Sequence, residues 1–163
     1  MIIMGLDLST SLSGYGVFED NTLIAYGAIK PNGDDWRDRI MDETMQLAEL
    51  LRKYKPDKLY IEDVPKKPGN NTLLKLGAVH GMILSLCAGF KLNPTFLLPN
   101  EWRRKIGLYD GTRNGLKREV LKEKAVRMAN DVFGLELKWI KPNSKLNDDD
   151  IAEAVLIAYS QIT

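Results

Sequence analysis

A carboxylate stands near the end of the first apolar run of the chain, in "MIIMGLDLSTSLSGYGV", and its position limits what that run can be. Residues 2–8 alternate as a strand does, sending Ile3, Gly5 and Asp7 to one face and Ile2, Met4, Leu6 and Leu8 to the other. An ionised acid on a mostly buried strand costs several kcal/mol unless a positive group meets it. Asp7 therefore marks a site, and its partner is a lysine, an arginine or a metal ion.

Residues 14–19 and 22–29 read as two further strands. The turns "SLSG" and "EDN" make the three an antiparallel meander. Over residues 34–54, Ile40, Met41, Thr44, Leu47, Ala48 and Leu51 recur at helical spacing. "KLYIEDV" is a fourth strand, "PKKPGNN" a loop, and "TLLKLGAVHGMILSLCAGF" an apolar helix over residues 72–90. "PTFLLP" supplies a fifth strand and "NEWRRKIG" a brief helix. "GLYDGTRNG" reads as a mobile loop, residues 116–133 as a basic amphipathic helix, and "NDDDIAEAVLIAYSQI" as a final helix with Asn147 as its N-cap. Strands that meander first and then alternate with helices predict an α/β domain with a mixed five-stranded sheet flanked by helices. If the fourth strand pairs in parallel with the first, Glu62 meets Asp7 at one edge of the sheet.

The last helix supplies two more acids. Asp148, Asp149 and Asp150 suit the first turn of a helix, where negative charge meets the dipole. Glu153 lies beyond that turn, at i+3 from Asp150, on the stripe that continues into the apolar "AVLIAY". Asp150 and Glu153 are thus expected to face inward, with Asp149 in reserve if the register slips by one. Four acids from two strands and a helix repel one another unless cations sit among them. An all-oxygen set suits Mg²⁺ or Mn²⁺, and two such ions can hydrolyse a phosphodiester by in-line displacement.

The net charge of +1 hides an uneven distribution. From Glu101 to Lys145, twelve basic residues stand against six acidic ones, which suits either a solvated helix face or a phosphate backbone. The length of 163 residues fits one domain over 1–163, and the single cysteine, Cys87, excludes an internal disulfide. No apolar run reads as long enough to cross a bilayer and no leader pattern is seen, so a cytoplasmic protein without a membrane partner is expected.

"GLDLSTSLSGYGV", "YIEDV", "LLKLGAVHG" and "DDDIAEAVLIA" resemble, in order and spacing, the motifs of RuvC-type Holliday junction resolvases, most closely the divergent versions of phages of Gram-positive bacteria. The resemblance covers nearly the whole chain. It implies a ribonuclease H-like fold, a homodimer, and Mg²⁺-dependent paired nicking of four-way and related branched DNA. By position, Asp7 would bridge two metal ions, Glu62 would be the second ligand, and Asp150 with Glu153 would complete the set. Many members of the family have Asp where Glu153 stands. The family holds DNA with basic side chains, which here implies Arg103, Arg104, Lys117, Lys122 and Lys124, with Lys66 and Lys67 in the loop after Glu62. Many members carry a base-stacking aromatic in that loop, whereas this chain has none between Glu62 and Phe90. The face shared by Gly77 and Gly81, with Leu84 nearby, would let the apolar helix pack on its symmetry mate. Trp139, in a polar connection, is the tryptophan suited to meeting DNA, while Trp36 and Trp102 read as partly buried anchors. A branched-DNA-binding protein that no longer cuts is the competing expectation, and the presence of all four acids weighs against it.

Overall fold

The computed structural model describes residues 1–63 and 70–163. Strands β1 (Ile2–Asp7), β2 (Ser13–Glu19) and β3 (Thr22–Ile29) form the meander, and α1 (Trp36–Tyr54) leads to β4 (Lys58–Glu62). Then follow α2 (Asn70–Phe90), β5 (Pro94–Leu97), α3 (Pro99–Lys105), α4 (Arg118–Phe133) and α5 (Asp149–Tyr159). The sheet order is β3-β2-β1-β4-β5. β1 is central, antiparallel to β2 and parallel to β4, and β5 continues the parallel half. Lys66 and Lys67 lie outside the described residues, as does the last residue of the expected fourth strand.

Alternation along β1 divides the core as the sequence implies. Met4, Leu6 and Leu8 join Leu47 and Leu51 of α1 and Val79 and Ile83 of α2 on one face. Ile3 packs with Val155 and Ala158 of α5 on the other. Asp7 shares this second face. α5 lies close enough to the sheet that a Cβ on Gly14 would overlap the Asp150 backbone carbonyl, and one on Gly16 would press on Val155. The two glycines of β2 therefore bring α5 down onto the strands. A second apolar cluster fills the space between α3, α4 and α5, around Trp102, Ala125, Ala129 and Leu156.

Three expectations need correction. Asn147 is not the N-cap of α5, a position held by Asp148. The Asn147 side chain instead accepts from the Ile140 amide and donates to the Lys141 carbonyl, at 2.8 and 2.9 Å, bracing the connection before the helix. The segment expected to be a mobile loop carries ties of its own. Asp110 accepts from the Thr112 amide and hydroxyl and from Lys124, at 2.9, 2.7 and 2.9 Å. The third concerns α2: its stretch Asn71–Phe90, with a mean hydropathy of 1.6, is long and apolar enough by length and composition to cross a membrane, because Lys75 is its only charged residue. One edge of α2 is nonetheless core, with Val79, Ile83 and Cys87 buried. Burial pushes the Cys87 thiol up to about 11, as suits an inert side chain.

Candidate active site

Parallel pairing of β1 with β4 sets Leu6 beside Ile61, so the C-terminal ends of both strands open on the same edge, with Asp7 and Glu62 as their last residues. The N-terminal turn of α5 crosses above. Asp7, Asp150 and Glu153 can each offer a carboxylate oxygen such that the three lie within 4.8 Å of one another. The i+3 spacing of Asp150 and Glu153 puts both on the inward face, as the sequence implies. Glu153 is almost wholly buried, whereas Asp7 and Asp150 are partly open to the cavity that they line.

Glu62 joins this group through a shared cation. Arg103 Nη2 donates to Glu62 Oε1 at 3.0 Å and to Glu153 Oε1 at 2.6 Å. The indole N–H of Trp102 donates to the same Glu62 oxygen at 3.1 Å. Lys122, from α4, pairs with Asp149 and lies 3.4 Å from Asp150 Oδ1 and 3.7 Å from Glu153 Oε2. Four of the five carboxyl groups thus share two cations, and the fifth, Asp7, has no ion pair with either among the described residues.

The electrostatics follow from that shortage. Burial, then the charges of Glu153, Glu62 and Asp150, hold the Asp7 carboxyl well above the usual carboxylate range. Burial and Glu153 raise Glu62 to about 7, against the pull of Arg103 and Trp102. Burial raises Asp150 to about 6, with Lys122 opposing it. Burial works against the charge of Lys122, but Glu153 and Asp150 outweigh it and hold its ammonium above the ordinary lysine value. The cluster therefore resists full ionisation with only its own two cations. A donor set made entirely of oxygens, with Asp7 in no ion pair among the described residues, fits a hard divalent ion.

The placement of the basic residues divides them. Arg103 and Lys122, expected to meet DNA, stand inside the acidic cluster. Lys124 is paired with Asp110 at 2.9 Å, and Arg104 lies over the Tyr109 ring at 5.4 Å. Lys117 is exposed at the start of α4. Asp149 is paired to Lys122 and lies outside the three-carboxylate group, so Asp150 is the acid that joins Asp7.

Two participants were not foreseen. Trp102 is not a partly buried anchor: it is fully buried and its N–H is aimed at Glu62. A buried indole N–H requires an acceptor, but its distance from Glu62 in the chain hides which one. Glu43, a fully buried carboxyl on α1, accepts from the Ser13 hydroxyl beneath the turn that follows Asp7. Its position one turn before Leu47 on the apolar face of α1 was the available signal. Gly77 and Gly81 do lie on an open face of α2, where an added Cβ would meet nothing within 4 Å, and Leu84 is half exposed beside them.

Comparison with known proteins agrees with this geometry. The family model described as "Crossover junction endodeoxyribonuclease RuvC" matches residues 3–160. A protein of Nitratidesulfovibrio vulgaris (strain Hildenborough) bearing that same description is 28% identical over 163 residues, covering 98% of this chain and 90% of its own. The structure of Thermus thermophilus RuvC in complex with a Holliday junction substrate superposes with a TM-score of 0.73 at 17% identity, over 98% of this chain and 92% of that one. The Fowlpox virus resolvase, solved with Holliday junction DNA, gives 0.62 at 19% identity, over 99% and 97%. The resolvase fold is thus shared across sequences that have diverged widely, and the family match spans β1 to the end of α5: this chain belongs to the RuvC family.

Proposed function

We propose that the protein is a metal-dependent endonuclease that resolves four-way DNA junctions by paired nicks. The observation that carries this is the meeting of Asp7, Asp150 and Glu153 oxygens within 4.8 Å, with Glu62 held alongside. The RuvC match over residues 3–160 and the junction-bound relatives support the substrate class.

Asp7, Glu62, Asp150 and Glu153 would hold two Mg²⁺ or Mn²⁺ ions, and Asp7 is the acid of this set that makes no ion pair among the described residues. When bound, such ions lower the pKa of a water and stabilise the leaving oxygen of an in-line displacement at phosphorus. The protein's own part is to bring four carboxylates to one sheet edge and to hold them there with two cations of its own. Arg103 and Lys122 balance the acids before metal and DNA arrive. Both side chains line the cavity of about 610 Å³ with Asp7 and Glu62, where they would also be in reach of a scissile phosphate. Lys117, Arg104 and Lys124 stand further out and meet backbone phosphate without reading sequence.

The exposed apolar face of α2 supports a homodimer. Leu73, Leu74 and Leu84 are each at least 49% exposed, and Gly77 and Gly81 allow close backbone approach. Two-fold pairing through α2 would present two sites to two strands.

The test is cleavage of a synthetic immobile four-way junction, a fork, a flap and a linear duplex in Mg²⁺, with EDTA as control. Paired, ligatable nicks on the junction and none on the duplex are expected. Junction binding without nicking under any divalent ion would leave the non-cutting branched-DNA-binding protein as the better account.

A further inference from the structure

We infer that a second groove beside the candidate active site carries the continuation of the cut strand, with Trp139 as the platform for one of its bases. The inference rests on the endonuclease proposal and extends it to the path of the DNA. An endonuclease cuts inside a strand, so the strand needs a way into the site and a way out.

The cavity that holds the acids is not the only one at this edge. A larger cavity, of about 1000 Å³, adjoins it, and both are lined by Ser9, Arg118, Lys122 and Asp150. Sharing those four residues, the two form the arms of one trench. The scissile phosphate at the acids would leave one arm to each flanking stretch of strand.

The second arm has the chemistry of a strand track. Lys30 after β3, Arg118 at the start of α4 and Lys145 in the connection to α5 line it, and all three are exposed and make no ion pair among the described residues. Cations in that state neutralise phosphate without first breaking a bond. Trp139 also lines this arm, and its ring is partly buried against the apolar cluster under α4 and α5. The connection is fixed after it by the Asn147 bonds to Ile140 and Lys141, and before it by the Lys138 amide donating to Asp148 Oδ2 at 2.8 Å. Glu119, Asp149 and Asp150 also line the arm, but the latter two are held by Lys122, and a ring held by the core beside three cations that make no ion pair is a stacking platform of the kind single strands use. Between Glu62 and Phe90 the chain has no Phe, Tyr or Trp that could serve as such a platform.

The experiment uses the full chain with Asp7→Asn, bound to an immobile four-way junction. The reporter is 2-aminopurine, placed singly at each of the three nucleotides on either side of the nick mapped with the unaltered protein. Quenching is expected at one position, on one side of the nick only, and is expected to disappear in Trp139→Ala and persist in Trp139→Phe, which keeps a ring. Trp139→Ala is expected to weaken junction affinity roughly five- to tenfold. Lys30→Ala with Lys145→Ala, both on the surface, is expected to reduce the slope of log affinity against log salt by about two. Quenching that ignores Trp139 at every position, together with an unchanged salt slope, would overturn the trench while leaving the nuclease proposal standing. Failure of the unaltered protein to bind the junction at all would overturn both.

Discussion

Arg103 Nη2 lies 2.6 Å from Glu153 Oε1, with Glu62 Oε1 3.0 Å away on the same nitrogen, so a guanidinium joins the acid from β4 to the acid from α5. The two carboxylates that would hold divalent cations are, without them, bridged by an arginine. Arg103 is itself largely buried, and its Nε has no hydrogen-bond partner among the described residues. Such a group stabilises the acids on its own and would compete with a metal ion for them.

Replacing Arg103 by Ala therefore has two opposite effects. Removing one partner from a buried ion pair costs about 3 kcal/mol or more, because the other charge is left uncompensated. The metal-free variant is expected to melt well below the unaltered protein, and Mg²⁺ is expected to raise its melting temperature by more than it raises that of the unaltered protein. Thermal unfolding with and without 10-fold changes in Mg²⁺ checks this. Equal metal-induced shifts would show that Arg103 and the ion do not share a place.

Trp102→Phe keeps an aromatic ring in the core but removes the donor to Glu62. A hydrogen bond to a charged group contributes about 1.5–3 kcal/mol, and partners of metal ligands alter affinity by roughly ten-fold or more. Mn²⁺ titration by calorimetry, without DNA, is expected to show roughly ten-fold weaker binding. Unchanged affinity would make Trp102 a packing residue alone.

Stability should depend on pH in a direction set by the raised carboxyls. Glu62 and Asp150 sit near 7 and 6 in the fold, above their ordinary values. They favour the folded state when protonated, and that contribution is lost as pH rises from about 4.5 through 7. For Glu62 alone the span corresponds to about 3 kcal/mol. Glu43, raised to about 7 by burial, titrates over the same window, so Glu43→Gln is the background to use. In metal-free protein, stability is expected to fall between pH 5 and pH 8, and Mg²⁺ is expected to stabilise more at pH 8 than at pH 5. A flat profile in that background would mean that the cluster is already neutralised by Arg103 and Lys122.

Gly14→Ala tests how the site is assembled rather than what it binds. Its Cβ would overlap the Asp150 carbonyl, so α5 has to lift from β2. Overpacking of this kind costs about 1–3 kcal/mol, more where backbone is hit. Loss of metal binding together with a lowered melting temperature is expected, whereas a change at Gly81, on the open face of α2, should leave both intact and act on the monomer–dimer balance seen by sedimentation. Wild-type metal affinity in Gly14→Ala would mean that α5 need not rest on β2.

The sequence made the acids legible because each obeys a short-range rule. Alternation along β1 put Asp7 on the face that α5 covers, and i+3 spacing put Asp150 and Glu153 together. The meander and the parallel addition of β4 followed from turn lengths and the helix between strands. The counter-charges were not legible, since Arg103 and Lys122 look from the sequence like any basic helix face. Only packing shows that α3 and α4 turn them onto the acids. The same holds for Trp102 and Glu62, which lie far apart in the chain and meet through the approach of α3 to the end of β4. Asn147 was misplaced for a local reason: an Asn beside three Asp residues looks like a cap, but its side chain satisfies the incoming connection instead.

The most direct test of the account is junction cleavage by Asp7→Asn, measured beside junction binding in the same Mg²⁺ buffer. Asparagine keeps the shape of the side chain but removes the charge on the one acid of the described cluster that makes no ion pair with Arg103 or Lys122. The account predicts no detectable nicks with binding within about two-fold of the unaltered protein, the size of change expected when no phosphate contact is lost. Nicking at the unaltered rate would contradict it.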